Sequence, residues 1–103
     1  MHTDVDAYRG LLLALETHQR SPPEPIFVGV DDLARELGRR KSEISDALDY
    51  LSSLDLIEGP GAYRGDWIFR KLTRRGAMLM DRIRDPDDWR DLKEIYAPPM
   101  SPP

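Results

Sequence analysis

The sequence predicts a mostly helical α+β domain, and three observations carry that expectation. Apolar residues recur at helical spacing near both ends of the chain. Between them, two further helical patterns are separated by a tight turn at Gly38-Arg39-Arg40-Lys41. Two short runs of strand formers, Ile26-Phe27-Val28 and Trp67 to Leu72, stand apart, and the second follows a loop dense in glycine and proline.

Each element has a local cause. A first helix is expected from Val5 to about His18, because Val5, Tyr8, Leu11, Leu12 and Leu15 share one face and Asp4 is placed to cap it. Ser21-Pro22-Pro23-Glu24-Pro25 cannot continue that helix, since proline removes a backbone donor and restricts its predecessor. After the strand at 26–28 and Gly29, Asp31 offers a cap for a short helix over 32–37. Gly38 stands where a helix end adopts the left-handed conformation, and Arg39, Arg40 and Lys41 lead into Ser42, the expected cap of the next helix. In that helix Ile44, Ala47, Leu48, Leu51 and Leu54 share a face, which turns Ser42, Asp46, Asp49 and Ser53 outward.

The stretch from Gly59 to Asp66 is rich in turn formers, and the following run to Leu72 reads as one strand. Alternation places Trp67 and Phe69 on one face and Ile68 and Leu72 on the other, so both faces require cover. Tyr63 and Trp67 are read as covering the sheet. Thr73 is the expected cap of a fourth helix with Leu79, Met80 and Ile83 as its apolar contacts, and Pro86 opens a fifth. Trp89, Leu92 and Tyr96 line one side of the fifth helix, with Trp89 expected in the core. Residues 1–96 are read as one domain and 97–103 as a disordered proline-rich tail.

Composition narrows the function. With 40% hydrophobic and 33% charged residues the chain can form one thin core, unlike a disordered chain. Cysteine is absent, which excludes disulfides, thiolate metal sites and cysteine nucleophiles together. His2 and His18 are the only histidines and make no metal-ligand pattern. No P-loop, dinucleotide fingerprint, nucleophile elbow or zinc-protease motif occurs, and the carboxylates are scattered over solvated faces. No catalysis and no cofactor are expected. The chain lacks an apolar run of membrane-spanning length and a secretory start, so no membrane partner and a cytoplasmic location are expected. The net charge of -4 opposes contact with a polyanion, yet residues 62–75 carry Arg64, Arg70, Lys71, Arg74 and Arg75 against Asp66 alone.

The order helix, strand, helix, helix, wing, helix, with L-A-R-E-L-G-R-R-K-S-E-I-S-D-A-L-D-Y-L-S-S-L-D-L-I-E at its centre, resembles the winged helix-turn-helix superfamily of bacterial regulators over roughly residues 26–76. An N-terminal helix precedes this part, and two C-terminal helices follow the wing. A narrower likeness spans nearly the whole chain: it is similar to small bacterial and phage proteins that include the YjcQ-like proteins. V-D-A-Y-R-G-L-L-L-A-L-E and L-T-R-R-G-A-M-L-M-D-R-I-R-D-P-D-D-W carry it, through Leu72, Thr73, Gly76, Asp81, Ile83, Arg84, Asp85 and Trp89.

The superfamily resemblance implies a helix presented to a DNA major groove. Arg39, Arg40 and Lys41 would stand at its N-terminus against phosphate or a guanine edge, with Ser42, Glu43, Ser45, Asp46 and Asp49 along the presented face. Arg64 at the wing would follow the adjoining backbone. The implied partner is double-stranded DNA, bound by a homodimer acting as a transcriptional regulator or phage-related accessory factor. Two departures qualify this. Asp55 stands at a corner where winged helices often place glycine, and the presented helix carries Glu43, Asp46 and Asp49 instead of a row of basic residues. The alternative is a protein-interaction module whose acidic surface meets a basic partner.

Overall fold

The computed structural model describes residues 5–96, with side chains to residue 94. Its elements run α1 Val5–His18, β1 Ile26–Val28, α2 Val30–Leu37, α3 Lys41–Ser53, β2 Ile57–Glu58, β3 Gly61–Tyr63, β4 Asp66–Phe69, β5 Lys71–Leu72, α4 Arg74–Ile83 and α5 Pro86–Tyr96. The mostly helical α+β order is the expected one. Asp4, the Tyr96 side chain and the 97–103 tail lie outside the described residues.

β4 lies between β1 and β3, antiparallel to both, with Val28 opposite Trp67 and Gly61 opposite Ile68. β2 pairs with β5, Ile57 facing Leu72. The run expected as one strand from Trp67 to Leu72 is therefore two strands, interrupted at Arg70. Across the hairpin Gly59 faces Arg70 at φ 155, close against the backbone of residues 68–70, and Pro60 beside it has no amide to offer the ladder. Arg70 bridges the gap: its N–H donates to the Glu58 carbonyl at 2.8 Å and its guanidinium meets the Glu58 carboxylate at 2.6 Å.

The core draws on Leu11, Leu12 and Leu15 of α1, Leu33 of α2, Ile44, Leu48 and Leu51 of α3, Phe69 of β4 and Met80 of α4. Burying each such side chain contributes roughly 1.5–3 kcal/mol. Leu72 is buried too, because β5 packs against α1 and α4, and the Gln19 side-chain oxygen accepts the Leu72 N–H at 2.9 Å. Leu54, expected on the buried face, is only partly buried as α3 ends.

Local chemistry explains most of the boundaries. Gly38 ends α2 in the left-handed conformation at φ 66, as expected. Asp55 takes φ 61 at the corner after α3, so aspartate does hold the glycine-like position. The Thr73 hydroxyl accepts the Gly76 N–H at 3.0 Å and donates to the Asp55 carbonyl at 2.6 Å, which ties the start of α4 to the end of α3.

Two helix starts differ from expectation. α2 begins at Val30 after Gly29, which places Asp31 inside the first turn, where its charge favours the helix dipole without capping. α3 begins at Lys41, which leaves Ser42 as its second residue. Arg40 takes the flanking extended conformation, and the Glu43 carboxylate reaches back to accept its N–H at 3.0 Å.

Trp89 is the clearest correction. It is half-buried at the edge of the core, because its indole N–H donates to Asp6 Oδ1 at 2.7 Å and so stays near the surface. Lys93 Nζ reaches the same oxygen at 2.9 Å, and the cations of Arg9 and Lys93 lie over the ring at 5.9 and 5.5 Å. Arg9 also donates to the carbonyls of Ile83 and Arg84, at 2.7 and 2.8 Å. These contacts clamp the start of α1 to α5 and the end of α4. The Trp89 hydrogen bond, followed by that from Lys93, holds the Asp6 carboxyl below its usual range.

Candidate nucleic-acid interface

α2, the turn at 38–40 and α3 form a helix-turn-helix, and the β3–β4 hairpin forms the wing. Two contacts bring them together. Asp66 Oδ1 on β4 lies 3.4 Å from the Val30 N–H at the start of α2, and Asp31 Oδ1 in that same turn lies 3.2 Å from Lys41 Nζ at the start of α3. The wing and the N-terminal ends of both helices therefore adjoin one another.

At the wing tip Arg64 and Gly65 have φ of 50 and 86, the sign pattern of a two-residue hairpin turn whose twist suits the flanking strands. Arg64 is exposed, has no carboxylate partner among the described residues, and lies over the Tyr63 ring at 5.3 Å. Trp67 is buried, as expected of a sheet cover, whereas Tyr63 is 46% exposed. Its neighbour at 5.9 Å is Phe27, 65% exposed, which sequence reasoning missed because a three-residue strand offers no alternation to count.

Along α3, Arg40, Lys41, Ser42, Asp46 and Asp49 are exposed, and Arg39, Glu43 and Ser45 are half-buried. The basic trio is less free than its sequence suggests. Lys41 pairs with Asp31, and Arg40 Nε lies 3.5 Å from Glu43 Oε1. The backbone bond from Arg40, and then its charge, keep the Glu43 carboxyl below its usual range. Arg39 lies close enough to Asp6 and Glu43 to help lower both. Arg35, also unforeseen, pairs with Asp32. Together Asp31, Arg35, Arg39, Arg40, Lys41 and Glu43 line an open depression of about 490 Å³ between α2 and α3. By contrast, Asp46 and Asp49 have no ion-pair partner among the described residues.

This charge arrangement decides what the surface can do. Exposed ion pairs are worth only about 0–1 kcal/mol, so an arriving phosphate can take Lys41 from Asp31 at small cost. Lys41 and Arg64 can thus meet an anion at the helix start and at the wing. Asp46 and Asp49 oppose a phosphate between them and suit a donor such as a cytosine amino group. Among the described residues no group of three or more metal-ligating side chains converges, and no helix is long and apolar enough to cross a membrane.

No protein-family model matches the chain, and no curated protein matches it. Solved structures do. The YusO protein from Bacillus subtilis matches at a TM-score of 0.58 over 88% of this chain with 17% identity. AbsC, a MarR family transcriptional regulator from Streptomyces coelicolor, matches at 0.50 over 93% with 19% identity. This chain spans 59% of the YusO chain and 72% of AbsC. At such identities the likeness bears on the fold alone, and that fold, with its helix-turn-helix and wing, is the winged helix.

Proposed function

We propose that this chain is a DNA-binding winged-helix regulator. The observation that carries the reading is the linkage Asp66 to Val30 and Asp31 to Lys41, which presents the start of α3 and the wing on one side. Lys41 and Arg40 meet phosphates beside the groove, Ser42 and Ser45 reach base edges, and Arg64 follows the neighbouring backbone. Arg39 is half-buried beside the Asp6 and Glu43 carboxylates, which draw on its charge. The likeness of fold to AbsC, a transcriptional regulator, supports this reading. A homodimer on a two-fold operator, a cytoplasmic setting and a kinship with the phage-related YjcQ-like proteins complete it.

The test is retardation of duplex DNA by the full chain at low salt, followed as salt rises. Binding should fall steeply with salt, and Arg64→Glu should weaken specific and random duplex alike while lowering the salt slope by about one unit. No retardation at low salt would refute the reading. A variant with unchanged binding and slope would remove Arg64 from the interface.

One observation favours a second reading. Asp46 and Asp49 are exposed and without ion-pair partners on the face that should enter the groove, which suits a basic protein partner.

A further inference from the structure

α4 turns Met80 and Ile83 into the core. At about 100° per residue, Arg74, Met78, Arg82 and Arg75 fall within an arc of about 100° centred opposite Met80. All four are exposed, Met78 by 59%. Four other arginines have acidic partners: Arg35 has Asp32, Arg70 has Glu58, Arg84 has Glu16 and Arg90 has Asp87. Arg74, Arg75 and Arg82 have no side-chain partner among the described residues. Asp81, at the margin of the stripe, turns to Arg84 at 3.4 Å.

Two features separate this stripe from the proposed DNA surface. The Thr73 bond to Asp55 pins the start of α4 to the C-terminal end of α3, whereas Lys41 stands at the opposite end of that 13-residue helix, roughly 20 Å away at 1.5 Å per residue. The stripe also has an exposed methionine at its centre. A phosphate backbone has no use for that thioether, while arginine with methionine and without lysine is the composition enriched where proteins meet.

We propose that the outer face of α4 docks an acidic polypeptide segment, with carboxylates on Arg74, Arg75 and Arg82 and an apolar side chain resting on Met78. Charge complementarity commits the partner: in a chain of net charge -4, this stripe attracts an acidic segment that the Asp46 and Asp49 face repels.

The test uses the full chain and a fluorescent glutamate-rich peptide with one central leucine, followed by anisotropy at low salt. Arg75→Glu/Arg82→Glu should weaken peptide binding by about ten-fold, two close charge contacts having become repulsive. Met78→Ser should weaken it by about three-fold. Both variants should keep the wild-type thermal midpoint and duplex retardation, and Arg64→Glu should leave peptide binding unchanged. Three results would overturn the inference: no peptide binding by the wild type, an equal loss in Arg64→Glu, or a parallel loss of duplex binding in the α4 variant, which would assign the stripe to nucleic acid. Stripe-dependent peptide binding by a chain that fails to retard DNA would instead refute the regulator reading and leave this one standing.

Discussion

Gly76 lies in the first turn of α4 against the backbone of Leu56, where there is no room for a methyl group. A Cβ at residue 76 would sit 2.0 Å from the Leu56 carbonyl oxygen, against an ordinary contact of 3.4 Å or more. Gly76→Ala must therefore push α4 away by about 1.4 Å, the difference between these distances. That shift strains the same junction, where the Leu56 carbonyl accepts the Thr73 N–H at 3.1 Å and the Thr73 hydroxyl reaches the Asp55 carbonyl at 2.6 Å. Overpacking costs about 1–3 kcal/mol, and losing two such hydrogen bonds adds about 2. Alanine's better helix propensity returns about 1 kcal/mol, for a net loss of roughly 2–4. In a domain of this size that lowers the melting temperature by about 10–25 °C. Circular dichroism during thermal and urea denaturation reads it directly. Ala77→Gly, on the exposed side of the same helix, is the control and should cost only about 1 kcal/mol. A Gly76→Ala melt within about 2 °C of wild type would refute the close approach of α4 to Leu56.

Other expectations follow from single contacts. Asp55→Gly should stabilise by about 0.5 kcal/mol, because φ 61 strains an L-residue and the bond from Thr73 goes to a backbone carbonyl that glycine keeps; a lower urea midpoint would count against it. The lowered carboxyl of Asp6 contributes stability that is present above its unfolded value near 3.8 and is lost as pH falls through the folded value. Asp6→Asn should flatten stability against pH in that acid window, only modestly because the side chain is 56% exposed, and an unchanged profile would remove the clamp as its source. Asp46→Asn/Asp49→Asn should strengthen binding to random duplex without changing the melt, whereas a loss of affinity for a basic partner would support the second reading.

Residue order alone was enough where the cause of a structure is local. The helical spacing of Leu11, Leu12 and Leu15, and of Ile44, Leu48 and Leu51, identifies which faces are buried. Gly38, Asp55, Thr73 and Pro86 mark turns and helix ends through their own backbone or side-chain chemistry. The exposed faces of α3 and the wing tip, and hence Lys41, Asp46, Asp49 and Arg64, were legible for the same reason. The charge state of that surface was not. Lys41 meets Asp31 only because α3 returns beside the start of α2, and Asp66 meets Val30 only because β1 delivers α2 to the wing. Trp89 stops at the edge of the core because Asp6, 83 positions earlier, takes its N–H. Arg70 interrupts its strand where Gly59, on the facing segment, takes φ 155 close against its backbone. Periodicity and turn preference act over a few residues. Charge pairing and the depth of a side chain depend on which distant elements pack together, so only the tertiary structure could decide that the basic cluster at α3 is largely paired and the arginine stripe of α4 is not.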